Sequence, residues 1–194
     1  MTKERIKLRM MIVTALFAAI IGILAQITIP LPLVPITGQT LAIGLAATIL
    51  GAKYGTISVI LYILIGAAGI PVFAEMSAGL SVVVGPTGGF LVGFIPTSLF
   101  IGWMLEKTAY TFKYAMIANT IGMLITLCFG TTWLKVSAEL SWTAALMGGF
   151  VPFIAVGLIK AALASWIGIT VRHRLAKANL LYTVQRPSNL PKSV

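Results

Sequence analysis

From Met10 to Val171 the chain carries only eight charged side chains, Lys53, Glu75, Glu106, Lys107, Lys113, Lys135, Glu139 and Lys160, and long apolar runs separate them. A helix that crosses a bilayer needs about 20 predominantly apolar residues. The 194-residue chain therefore has room for five or six spans and little else. Hydrophobic residues make up 59% of it and charged residues 9%, a composition of polytopic membrane proteins. The expected fold is all-α, with six transmembrane helices at about 9–27, 38–52, 55–70, 87–105, 113–132 and 146–171. Residues 9–174 would form one membrane domain, after a basic N-terminal segment (1–8) and before a basic tail (175–194) expected to be flexible.

The formal net charge of +10 would suit a nucleic-acid binder, but its distribution argues for topology instead. Lys3, Arg5, Lys7, Arg9, Lys53, Lys107, Lys113, Arg172, Arg174, Lys177, Arg186 and Lys192 fall at the ends and in alternate loops of the spans, twelve of fourteen cations on one side. Only Lys135 falls on the other. Basic residues collect on the cytoplasmic side, so both termini are expected inside, next to anionic lipid, with no nucleic-acid partner. Lys3 to Arg9 followed by an apolar run also looks like a secretory signal. No small-residue processing site lies near Gln26, and the run is long enough to span.

Lys160 stands alone inside the apolar run from Trp142 to Val171. A lysine at the bilayer centre costs about 2.5–3.5 kcal/mol on an insertion scale, so it should face protein or a water-filled cavity. Three partners suit it: an anionic ligand, Glu75, or backbone carbonyls. The external segments point to a ligand. Ile27–Thr37 holds Pro30, Pro32 and Pro35, which keep the chain extended and suit a cover over a cavity. Ile70–Gly89 reads as ordered, partly non-helical backbone, which at membrane depth must line a cavity or be buried. Its GPTGG end offers Gly85, Thr87, Gly88 and Gly89 for close backbone approach to a ligand, or serves as a plain helix boundary. Thr37, Gln39 and Thr40 sit where the proline loop meets the second helix and supply neutral hydrogen-bonding groups. Tyr62 is near mid-membrane, where its hydroxyl needs a partner. With Phe73 and Phe90 as walls, these residues describe an outward-facing pocket for a carboxylate with an apolar body.

Small residues recur at helical spacing in three places. Ala15, Ala18, Ala19, Gly22 and Ala25 give the first helix a smooth face suited to docking a partner protein. Gly85, Gly89 and Gly93, and Gly157, Ala161, Ser165 and Gly168, suit internal packing. Catalytic chemistry lacks its residues. There is no aspartate, and Glu4, Glu75, Glu106 and Glu139 pair in no catalytic motif. The phosphate-binding GxxxxGK[ST] loop and zinc-protease spacing are missing. Cys128 and His173 are the only residues of their kinds. No enzymatic activity, metal or cofactor is expected.

The segments PLPLVPITGQTL, GAKYGTISVILYILIGAAGIPVF, GPTGGFLVGF and PFIAVGLIKAALA, in this order, resemble the BioY family. The resemblance runs from about Arg9 to Arg174. It implies the S component of an energy-coupling factor (ECF) transporter in a bacterial or archaeal cell membrane, a six-helix subunit that captures biotin externally under the loop between helices one and two. It further implies docking of the first helix, through Ala15, Ala18, Ala19 and Gly22, onto a transmembrane coupling protein driven by two cytoplasmic ATPases, with the subunit tipping over to release the vitamin. Lys160 and Gln39 match the family's binding residues. Gly157 stands where the family usually has aspartate, Ser77 where asparagine is frequent, and Phe90 where tyrosine is common. Glu75 or the ligand's own carboxylate then remains as counter-charge. A biotin precursor, another small carboxylate, a ligand-free assembly subunit and a passive channel stay open as alternatives.

Overall fold

A computed structural model describes residues 3–178 and 180. Arg186, Lys192 and most of the expected 175–194 tail lie outside the described residues, as do Met1, Thr2 and the side chains of Lys3 and Arg5. The first helix, α1 (Lys3–Ala25), leads into an antiparallel ribbon in which β1 (Thr28–Ile29) pairs with β2 (Ile36–Thr37). After it come α2 (Gln39–Ala67), a 3-10 turn (Ala74–Met76), α3 (Leu80–Val84), α4 (Gly88–Lys107), α5 (Phe112–Ser137), α6 (Trp142–Gly149) and α7 (Val151–Lys177). Five helical stretches, from Lys7–Ala25 to Trp142–Lys177, are long and apolar enough to cross a bilayer. The chain is a multi-pass membrane protein.

One of the five counts twice. Gly51, at φ 82° and ψ −175°, breaks α2, and only glycine adopts that backbone without strain. Gly55 abuts Ala47, and the Gln39 side chain reaches the Tyr62 hydroxyl. Both pairs are nearly symmetric about the bend, so the halves 39–50 and 52–67 run antiparallel. Six helices result, as expected, but one glycine replaces the anticipated loop between the second and third.

The break leaves backbone groups that the helix no longer pairs. Here two charged side chains take them up. Arg172 of α7 donates to the Ile49 carbonyl, and Glu106 of α4 accepts the Ala52 amide at 2.8 Å. The signs are favourable, since a cation meets the C-terminal end of the first half and an anion the N-terminal end of the second. The Arg172 guanidinium also lies 3.5 Å from the centroid of the Tyr110 ring. Burial pushes the Tyr110 hydroxyl above its ordinary pKa; Arg172 pulls it back, and Glu106 adds to the rise.

The helices then close on one another through notches. Gly89 and Gly93 of α4 receive Trp133 and Phe129 of α5, while Gly130 and Gly122 of α5 receive Phe90 and Ile101 of α4. Gly157 faces Met123 and Gly168 faces Thr48. The expected packing role of Gly89 and Gly93 and of the α7 stripe is thus visible as contacts. Between α2, α5 and α7 a polar tie forms: the Asn119 amide donates to Thr48 at 3.1 Å and to Ser165 at 3.3 Å. Met10 and Phe17 of α1, Ile49 and Leu50 of α2 and Val171 and Leu175 of α7 share one apolar cluster, so the first turns of α1 and the last turns of α7 lie at the same end of the bundle as the α2 bend.

Four details differ from the sequence expectation. The last span is two helices, broken at Phe150 where Pro152, lacking an amide hydrogen, begins α7. Helix α5 extends to Ser137, which places Lys135 in its last turn, over the Trp142 ring, rather than in a loop. The proline loop is a β-ribbon, because its flanks pair while Pro30, Pro32 and Pro35 occupy the connection. On α1 the small residues divide between two faces. Ala15 and Ala19 are exposed, whereas Ala18, Gly22 and Ala25 are buried, with Gly22 against Val72.

Helix α4 also approaches the α2 bend closely enough that any side-chain carbon on Gly102 would overlap the Ala52 amide. Gly102→Val should destabilise the protein by about 1–3 kcal/mol, the usual cost of overpacking, read as a lowered unfolding midpoint in detergent.

Candidate functional site

The half 39–50 of α2 has twelve residues and rises about 18 Å, short of the roughly 30 Å hydrocarbon core. The end of this half away from the bend, here called the outer end, carries Gln39 and Thr40 and lies beneath the β1–β2 ribbon. Lys160 projects from α7 toward this end. Its ammonium donates to the Thr37 carbonyl at 2.6 Å and to the Thr40 hydroxyl at 3.3 Å. Glu75 is exposed on the Ala74–Met76 turn. Of the three partners that suit Lys160, the backbone carbonyl is the one in place, and one of the three ammonium donors remains for a ligand.

Two connected chambers meet at Lys160. The outer, about 610 Å³, is lined by Val34, Pro35 and Thr37 of the ribbon, by Gln39 and Thr40, by Phe73, Ala74 and Ser77 at the 3-10 turn, and by Thr87, Phe90, Phe94 and Phe153. The inner, about 560 Å³, is bounded by Thr97, Asn119, Met123, Thr126 and Gly157. Thr40, Phe94, Thr126, Leu127, Phe153 and Lys160 border both. In the inner chamber Thr97 and Thr126 share a hydrogen bond of 2.7 Å, and Thr97 also donates to the Gly122 carbonyl at 3.0 Å. The walls are apolar and aromatic, the hydrogen-bonding groups are neutral, and one cation stands at the junction. Such a lining suits a small ligand with an anionic group, a polar head and an apolar body.

Of the residues singled out in the sequence, Lys160, Thr37, Gln39, Thr40, Phe73, Ser77, Thr87 and Phe90 come together around the outer chamber, and Gly157 lies on the inner one. Tyr62 and Glu75 line neither. The Tyr62 hydroxyl instead accepts a 2.8 Å hydrogen bond from the Gln39 amide, and its ring meets Phe73 edge to face at 5.5 Å. It fixes the orientation of Gln39 from behind. The GPTGG glycines also stand back. The Gly85 carbonyl accepts from the Trp133 indole at 2.9 Å, Gly88 sits on the Val83 carbonyl and Gly89 on Trp133. Only Thr87 of that motif reaches the chamber.

Sequence reasoning passed over Asn119, Thr97, Thr126, Met123, Phe94 and Phe153. Asn119 carried a signal, as the one asparagine inside the apolar spans, where a polar side chain marks either a tie between helices or a cavity. The others are ordinary residues whose facing only packing decides. Gln26 was passed over too. Its amide donates to the carbonyls of Phe73 at 2.9 Å and Gly22 at 3.1 Å, and its oxygen accepts the Met76 amide at 2.9 Å. The turn it holds contains Glu75 and Met76, both at φ 56°, a left-handed conformation costing non-glycine residues about 1–2 kcal/mol each.

Comparison with known proteins places this architecture. A biotin transporter of Lactococcus lactis subsp. cremoris, BioY2, is 41% identical over 180 residues, spanning 93% of this chain and 99% of the relative. The biotin transporter BioY of Thermotoga maritima is 39% identical over 165 residues, or 85% and 96% of the two chains. A crystal structure of the S component for biotin from an ECF-type ABC transporter superposes with a TM-score of 0.80 at 30% identity, covering 89% of this chain and 95% of that one. The family model for BioY matches residues 1–177. With family, relatives and fold agreeing along almost the whole chain, the protein belongs to the BioY family.

Proposed function

We propose that this protein is the biotin-binding S component of an ECF-type uptake transporter, a transport subunit and not an enzyme. It captures biotin from the external side and passes it to an ATP-driven module. The observation that carries this reading is the half-buried Lys160 ammonium at the junction of two chambers that otherwise offer neutral and apolar groups. Biotin carries a carboxylate, a ureido ring rich in donors and acceptors, and an apolar body. The names of the relatives and of the superposed structure point to the same ligand.

In this reading Lys160 meets the anionic or most polar part of biotin, Gln39 and Ser77 supply neutral hydrogen bonds, and Phe73, Phe90, Phe94 and Phe153 enclose the apolar body. Charge-assisted hydrogen bonds contribute about 1.5–3 kcal/mol each. A few of them, with burial of the apolar body, suffice for the roughly −12 kcal/mol of a nanomolar complex. Both termini then lie in the cytoplasm, with the basic ends near anionic lipid, and the chambers open outward beneath the ribbon. The exposed Ala15 and Ala19 of α1 form the smooth face that meets a transmembrane coupling protein, which two cytoplasmic ATPases drive.

A second reading, another small carboxylate or a biotin precursor, is favoured by one feature. Gly157, one turn before Lys160, leaves space that the Met123 thioether fills, so the inner wall beside the cation presents sulfur and carbon. Competition of labelled biotin by related carboxylates separates the readings. Biotin should displace the label at the lowest concentration, and a stronger competitor would shift the assignment.

Removing the cation should weaken biotin binding. Lys160→Met is expected to lower affinity on the order of 10- to 100-fold, the loss of one charge-assisted bond, and to lower the unfolding midpoint because the Thr37 carbonyl loses its donor; equilibrium binding and thermal unfolding in detergent, each against wild type, read the two effects. Proteoliposomes holding this chain alone should bind biotin without accumulating it. Accumulation should require the coupling protein, both ATPases and ATP, and uptake by the chain alone would mark a passive channel.

A further inference from the structure

Between the end of α1 and the wall of the outer chamber there is one side-chain bridge, and it uses both poles of a single amide. Gln26, the residue following α1, donates to the Phe73 carbonyl at 2.9 Å and accepts from the Met76 amide at 2.9 Å. Its own position is fixed by a 3.1 Å bond to Gly22, one turn back. The turn it grips is closed internally, with the Phe73 amide on the Ser77 carbonyl at 3.1 Å and the Ser77 hydroxyl on the Ala74 carbonyl at 2.6 Å. Phe73, Ala74 and Ser77 of this turn line the outer chamber. On its far side the buried Phe73 ring fills the notch at Gly66 and meets Tyr62, which holds Gln39. The turn is therefore braced as a unit, and with Glu75 and Met76 both left-handed, it depends on bonds from outside it to stay in this shape.

We infer that Gln26 is a positioning residue for the ligand, a latch by which α1 keeps the Phe73–Ser77 wall closed over the occupied chamber. Gln26 touches no ligand itself. It acts on the rate at which the chamber reopens, because the bonds it makes are present with the wall closed and are lost when the turn swings away from α1. A neutral amide suits the task, since the two groups it satisfies are one acceptor and one donor. An alanine satisfies neither, and a glutamate satisfies only Met76 while setting a carboxylate against the Phe73 carbonyl.

This inference rests on the biotin-capture reading for its ligand, so its test has two arms. In the first, biotin association and dissociation rates are measured on purified wild type, Gln26→Ala and Gln26→Glu. Both variants should release biotin about tenfold faster or more, with association little changed, whereas a merely structural role would leave release at the wild-type rate in molecules that remain folded. In the second, amide hydrogen exchange is followed without ligand. The peptide covering residues 70–79 should exchange faster in both variants while the α4 and α5 peptides stay as in wild type. Unchanged dissociation in either folded variant overturns the latch. Should wild type bind no biotin, the capture reading fails and exchange alone decides: faster exchange confined to 70–79 sustains the latch, and unchanged exchange overturns it.

Discussion

Inside a bilayer every backbone amide and carbonyl must find its partner within the protein, because lipid offers none. The fold of this chain follows from how α2 meets that demand. It breaks at Gly51, and its first half begins at Gln39, directly after the β-ribbon. At each place charged side chains from neighbouring helices reach the polar groups of the backbone. Arg172 and Glu106 take the Ile49 carbonyl and Ala52 amide at the bend. Lys160 takes the Thr37 carbonyl at the outer end. The charges of Arg172, Glu106 and Lys160 are therefore tied to the break in one helix and to its start.

The two repairs differ in what they leave over. At the bend, anion and cation both reach the break and an aromatic ring lies against the guanidinium, so the charges are used within the protein. At the outer end a lone ammonium meets two neutral oxygens, with no acid beside it. The net positive charge there is the feature a carboxylate can complete, and the surrounding threonines, glutamine and phenylalanines can do no more than orient and enclose. The same physical need, satisfying backbone in a dry medium, closes one end of the bundle and equips the other to bind.

Much of this was legible in the residues. The length and spacing of the apolar runs gave the helix count, and the lone lysine in such a run pointed to a cavity, since its solvation cost admits few alternatives. The family motifs carried the likeness to BioY. Gly51 was less legible. A short loop was expected between the second and third helices, and only the positive φ and the contacts across it reveal that a single glycine makes the turn. The α1 small residues illustrate the same limit. Ala15, Ala18, Ala19 and Gly22 form one pattern at three- and four-residue spacing, yet rotation of the helix against Val72 puts two of them outside and two inside.

The sequence by itself determined the solvent, the number of crossings and the presence of a single cation inside an apolar run, because these depend on composition and order along the chain. Tertiary structure decided which groups answer that cation, that Tyr62 supports Gln39 instead of lining the chamber, and that Gln26 joins α1 to the wall at Phe73. Those relations join residues far apart in the chain, 47 positions in the last case. They rest on hydrogen bonds a few ångströms long, whose geometry no local pattern encodes.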